Sequence, residues 1–167
     1  MEIFLMTVIS RAGLNTLYRL QREANLQPGS VRQPLRELAD VGLIARSEAP
    51  TRGRNRRAMS LTPAGERFLQ MYWTSSLDPK QEMESVIRGV TVALLLNLPR
   101  TAFEFLKEAA GVREHDNAVQ RITQAPPSPV DFHAAMRALL ATRRRAMEAS
   151  VLKEFAETLM RSVESTS

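Results

Sequence analysis

A chain of 167 residues, 44% hydrophobic but only 5% aromatic, has room for one core or two small ones, and any core must be aliphatic. With no cysteine, disulfides and thiolate metal sites are excluded, and the composition is compatible with a reducing cytosol. The net charge of +5 is uneven: residues 1–77 carry eleven arginines, no lysine and six acids, whereas residues 78–167 carry twelve bases and twelve acids.

All the excess charge is therefore guanidinium, and it lies in the first half. Arginine's planar fork matches phosphates and guanine edges bidentately, which an ammonium cannot do, so this half suggests a polyanion partner.

The opening MEIFLMTVIS is apolar but carries Glu2 and lacks a basic leading segment. It reads as a first helix instead of a signal peptide. NTLYRLQREA, residues 15–24, reads as a second helix with Asn15 as N-cap and a buried stripe of Leu17, Leu20 and Ala24. After the break NLQPGS, residues 30–44 place Val31, Leu35 and Leu38 on one helical face, and Gly42 stands where a helix C-terminal glycine belongs. Two helices joined by a short turn make a helix-turn-helix candidate. Pro34 fits badly, because it removes an amide donor and crowds the previous turn at about 3 kcal/mol in a regular helix. Either the helix starts near Ser30, with Pro34 in its first turns, or it bends there.

Residues 43–47 and 57–61 read as strands around TRGRNRRAMSLT, which puts four arginines within six residues at a hairpin tip. Strand alternation sets Arg57, Met59 and Leu61 on one face. Thr62 is the expected N-cap of the next helix, PAGERFLQMYW, with Pro63 at its first position and Glu66 close enough for a capping interaction.

The order helix, helix, helix, strand, basic loop, strand is that of a winged helix-turn-helix. Over roughly residues 1–73 it resembles bacterial PadR-like transcriptional regulators, with MarR-like regulators second. The resemblance rests on Leu35-x-x-Leu38-x-x-x-Gly42-Leu43-Ile44, on Arg54 to Arg57, and on Leu61-Thr62-x-x-Gly65-x-x-x-Leu69-x-x-x-Trp73. It implies a DNA-binding dimer. Aromatics near the junction of the two halves, here Tyr72 and Trp73, often line an effector pocket in such regulators, which implies an aromatic or lipophilic effector. The other reading of the pair is a plain lid on the core.

From Asp78 the pattern is helical throughout. Residues 80–98 and 99 to about 110 form two helices, GVREHDNAVQRITQ is left unassigned, and APPSP is a rigid break. VTVALLLNL, residues 90–98, is too short to span a bilayer. Residues 131–164 form one helix about 50 Å long. Its apolar stripe runs through Phe132, Met136, Leu139, Leu140, Met147, Val151, Phe155 and Leu159, interrupted by Arg143, Arg144 and Arg145. A helix of that length needs a cover for its stripe, and a second copy of the chain is the preferred one.

A search for chemistry finds no glycine-rich phosphate loop, nucleophile elbow or convergent metal ligands. His115 and His133 read as solvated or structural. The expectation is therefore no enzyme, no metal and no cofactor, in a cytoplasmic protein without a membrane partner.

The expected fold is mainly α with a small β-hairpin wing: a winged helix-turn-helix domain over 1–77 and a helical dimerisation and possible sensing region over 78–167. The expected function is a sequence-specific double-stranded-DNA-binding regulator, a repressor acting as a homodimer on an inverted repeat. In the recognition helix Gly29, Gln33 and Arg36 fall opposite the Val31 stripe with Ser30 and Arg32 on the flanks, and Ser30, Arg32, Gln33 and Arg36 are the candidate readers of base edges. Arg52, Arg54, Arg56 and Arg57 on the wing suit backbone or minor groove, with Arg57 ranked lower, and Arg19 and Arg22 suit phosphates. The rival reading is a winged helix that docks an acidic protein through its basic wing.

Overall fold

The computed structural model describes residues 1–47, 58–123 and 132–165, and of residues 116–123 and 132–138 the backbone only. The fold is mainly helical with one small antiparallel hairpin. Two compact units are present, one formed by Met1–Leu77 with Thr91–Leu98, the other by Asp78–Val90 with Pro99–Ser167.

In the first unit, helix α1 (Glu2–Ser10) is buried at every position from Ile3 to Ile9. A helix apolar all round belongs in the middle of a core, and here Leu5 and Met6 are completely covered. Helix α2 spans Leu17–Glu23, and its N-cap is Thr16, whose hydroxyl accepts from the Arg19 amide at 3.3 Å. Asn15 was expected there. Its carbonyl instead accepts the Met59 amide at 2.7 Å, which commits that residue to the hairpin.

Helix α3 (Pro28–Asp40) starts two residues before the expected Ser30, because Pro28 takes the first helical position, where a missing amide costs nothing. Pro34 is thus its seventh residue and lies inside the helix. Its absent N–H would have served the Ser30 carbonyl. Burial of Val31, Leu35 and Leu38, at about 1.5–3 kcal/mol each, outweighs the roughly 3 kcal/mol that the proline costs. The helix ends as its sequence predicts. Gly42 lies at φ +72 and donates to the Ala39 carbonyl at 3.0 Å, while Leu43 donates to Leu38 at 2.8 Å, the paired bonds of a Schellman cap.

Strands β1 (Ile44–Arg46) and β2 (Met59–Leu61) pair antiparallel, with Ile44 opposite Leu61 and Arg46 opposite Met59. Met59 is buried and Ser60 exposed, so Met59 and Leu61 share the inward face. Helix α4 (Pro63–Tyr72) is capped by Thr62, whose hydroxyl accepts from the Gly65 amide at 3.0 Å and donates to the Gly42 carbonyl at 2.7 Å. The expected Glu66 capping interaction does not form. The Thr62 amide is already satisfied by the Leu43 carbonyl at 3.0 Å, and the Glu66 carboxylate pairs with Arg11 at 3.0 Å instead. A 3-10 turn, Trp73–Ser76, follows.

Helix α5 is Met83–Leu95, shorter than the expected 80–98. Before it, Asp78 holds a turn by accepting the Lys80 amide at 3.0 Å. At its end Asn97, at φ +60, donates to Leu94, and Leu98 donates to Ala93, a second Schellman cap built on asparagine. The apolar run at residues 90–98 is therefore a capped helix end, with Val92 and Ala93 fully buried. No described helix is long and apolar enough to cross a membrane.

In the second unit, α6 (Pro99–Thr123) runs through the unassigned segment, and α7 (Phe132–Glu164) begins one residue after the expected start. The two pack side by side through Ala102, Phe105, Leu106, Ala109 and Ala110 on one helix and Thr142, Ala149, Leu152 and Ala156 on the other. Small side chains let the backbones approach closely. Past Gly111, α6 carries Arg113. This nearly buried guanidinium donates to the carbonyls of Ala109 (3.0 Å), Pro79 (3.0 Å) and Gln81 (2.8 Å) and to Glu148 (3.3 Å). Nothing in the periodicity of the sequence marked it.

Candidate nucleic-acid interface

With Val31, Leu35 and Leu38 facing the core, successive 100° steps divide the outer surface of α3 in two. Arg32 and Arg36 lie on the flank that also carries Ala39. Gln33 lies on the other side, where its Nε2 donates to Glu37 at 2.7 Å. Ser30 is exposed in the first turn, its hydroxyl donating to the Gln27 carbonyl at 2.9 Å. Arg36 is 74% exposed and, among the described residues, makes a long 3.7 Å pair with Asp40. The four predicted reading residues are thus all exposed, but they are not one cluster: the two arginines share a flank, and Gln33 and Ser30 do not.

Arg32 and Arg36 line an open groove of about 830 Å³ bounded by α2, α3 and the hairpin, whose other walls include Tyr18, Gln21, Arg46 and Met59. Three arginines there face one acid, Asp40. Arg46 is the member that sequence reasoning missed. Alternation from buried Ile44 puts it on the inward face of β1, yet its side chain is exposed at the groove. A cation at an inward strand position was the available signal.

The α2 arginines differ from each other. Arg19 is occupied within the chain: Nε and Nη2 donate to Glu23 at 2.9 and 3.0 Å, and Nη1 donates to the Gly13 carbonyl at 2.6 Å. The Glu23 hydrogen bond raises the Arg19 pKa and the same bond lowers that of Glu23, so both stay charged over the physiological range. Arg22 is exposed, donates to the Tyr18 hydroxyl at 2.8 Å and sits 5.9 Å from the centre of that ring. The Tyr18 bond raises its pKa.

Arg52, Arg54, Arg56 and Arg57 lie outside the described residues, as does the wing tip they were assigned to. The residues on either side of that segment, Ser47 and Ala58, are joined by an amide-to-carbonyl bond of 2.7 Å. Tyr72 and Trp73 have different surroundings among the described residues. Tyr72 is exposed and tilts against Phe68 with ring centroids 4.7 Å apart, while Trp73 borders a groove of about 200 Å³ with Leu69, Leu96 and Leu98. His115 is exposed, and the described residues hold no group of three His, Asp or Glu side chains able to hold a metal. The side chain of His133 falls outside the described ones.

No family model matches the sequence, and no curated protein matches it. Among solved structures, the chain is similar to Bacillus subtilis PadR in complex with operator DNA. The alignment has 14% identity and a TM-score of 0.35, and covers 93% of this chain and 97% of that one.

Proposed function

We propose that the chain is a sequence-specific double-stranded-DNA-binding transcriptional regulator that reads the major groove with α3. The observation that carries this reading is the convergence of Arg32, Arg36 and Arg46 on one groove of a helix-turn-helix, on the flank of α3 beside the buried Val31 stripe. Arg36 and Arg32 suit guanine O6 and N7, and Gln33 suits adenine on the adjacent side of the helix. Arg22 and the wing residues Arg52, Arg54 and Arg56 supply phosphate contacts. Arg19, saturated by Glu23 and Gly13, holds α2 in place. A gel shift on random duplex over a salt series tests the reading. Affinity that falls steeply with salt supports it. No affinity at low salt would leave an acidic protein as the partner of the same basic face.

Dimerisation through α7 is part of the proposal. Leu140, Met147, Val151 and Phe155 recur along one line of the helix and are exposed, Met147 and Phe155 at 64% each. They lie opposite Thr142, Ala149, Leu152 and Ala156, which face α6, so the second apolar face has no cover among the described residues. A second copy would remove it from water, and two reading heads would then require an inverted repeat with half-sites about 10 bp apart or a multiple of that. Phe155→Glu is expected to shift the protein from dimer to monomer in sedimentation velocity at micromolar concentration. A variant that sediments like the parent places the interface elsewhere.

Repression by occluding a promoter completes the reading. It assigns no effector to Tyr72 and Trp73. The Trp73 groove is smaller than the roughly 300–1,000 Å³ of ordinary ligand sites, and Tyr72 stands outside it.

A further inference from the structure

In the second unit the N-terminal segment before α5, the middle of α6 and the middle of α7 line an open cavity of about 320 Å³. Its charged lining is unbalanced. Lys80, Arg113, Arg144 and Arg145 stand against two carboxylates, Glu82 and Glu148, an excess of two positive charges. Glu148 is shared: its Oε2 accepts from Arg113 and its Oε1 from Arg144 at 2.9 Å, so one carboxylate serves two guanidiniums. Arg113 is nearly buried and fixed by three backbone carbonyls, so its charge cannot leave the site. Arg144 uses only Nε toward Glu148 among the described residues, which leaves both of its terminal nitrogens free to donate. Met83, Val112 and Ala141 supply a short apolar wall.

We infer that this cavity is a binding site for a small dianion, a dicarboxylate or a phosphate-bearing molecule. Two negative charges match the excess, and the guanidiniums of Arg144 and Arg145 offer the paired donors that carboxylate and phosphate oxygens accept bidentately. Arg113 and Glu148 frame the site and hold its shape, while Lys80, Arg144 and Arg145, on the open side, take the ligand. The inference stands apart from the DNA reading, because every residue involved belongs to the second unit.

The test is titration calorimetry of the full chain with succinate and with inorganic phosphate, using acetate at matched ionic strength as the monoanion control. Saturable binding of succinate or phosphate is expected, with the better ligand identifying the head group and acetate giving no saturable heat. Thermal unfolding should move to higher temperature with the same ligand, since it binds the folded chain alone. Arg144→Ala and Arg145→Ala remove exposed or half-exposed side chains and should fold normally. Each should weaken binding about tenfold, the loss expected for one charge-assisted contact, and Arg145→Lys should restore part of it. Absence of saturable heat with both dianions overturns the inference. So does equal affinity in the parent and both alanine variants.

Discussion

Gly65→Ala is expected to be the most damaging single-methyl change in the first unit. A Cβ at position 65 would overlap the carbonyl oxygen of Leu43 and lie 3.0 Å from its carbon, and these are backbone atoms that cannot swing aside. The Leu43 carbonyl is itself fixed, because it accepts from the Thr62 amide at 3.0 Å, while the Gly65 amide caps on the Thr62 hydroxyl. The methyl must therefore push α4 away from the start of β1 or break both bonds. A loss of about 3 kcal/mol or more is expected, at the upper end of overpacking costs. Gly42→Ala is the control. It sits at φ +72 with open space around its Cα, so only the left-handed conformation is strained and the cost is about 1–2 kcal/mol. Thermal melts of the two variants decide the matter: Gly65→Ala should melt well below Gly42→Ala. If Gly65→Ala melts within about two degrees of the parent, the close approach of α4 to β1 is wrong.

The second large effect is expected at Arg113. Changing it to Met keeps the length of the side chain but strands the carbonyls of Pro79 and Gln81 and removes one of the partners of Glu148. Breaking a buried charge pair from one side costs about 3–5 kcal/mol, because the remaining groups stay desolvated without partners. Arg113→Lys should rescue little, since one ammonium cannot reach four acceptors in three directions. Adding Glu148→Leu to Arg113→Met should recover part of the loss by removing the stranded charge. Urea denaturation with helical CD as the probe measures all three. A loss below about 1 kcal/mol for Arg113→Met would mean that water replaces the guanidinium freely.

The elements most legible in the sequence were those whose local chemistry and burial agree. Thr62-Pro63 opened a helix because hydroxyl cap and missing amide both suit a first turn, and Gly42 closed one because its φ is positive. Val31, Leu35 and Leu38 pointed inward as their spacing required. Two of the departures share one physical cause, long-range partners that local patterns do not encode. Asn15 lost the cap to Thr16 because its carbonyl serves Met59, forty-four residues away in sequence. Glu66 was drawn from the cap to Arg11. The extension of α6 carries Arg113, whose acceptors lie more than thirty residues away on either side of it as well as next to it. Of the candidate site, the number of arginines was readable but their grouping was not. Helical phase set Gln33 and Arg36 opposite the Val31 stripe and Arg32 on a flank, whereas the groove that joins Arg32 and Arg36 to Arg46 depended on how β1 meets α3.

The central claim is that α3 reads bases, and Arg36→Ala tests it most directly. Binding is measured on two duplexes, the preferred sequence selected from a random pool and a scrambled one, each over a salt series. Arg36→Ala is expected to cost roughly 1–3 kcal/mol on the preferred duplex and far less on the scrambled one, and to relax preference at one base pair. Arg54→Ala on the wing is the counterpart, expected to weaken both duplexes alike and to flatten the log K against log salt slope by about one unit. An Arg36→Ala variant that loses the same affinity for both duplexes would contradict the account, because Arg36 would then be a phosphate contact and α3 would not lie in the groove.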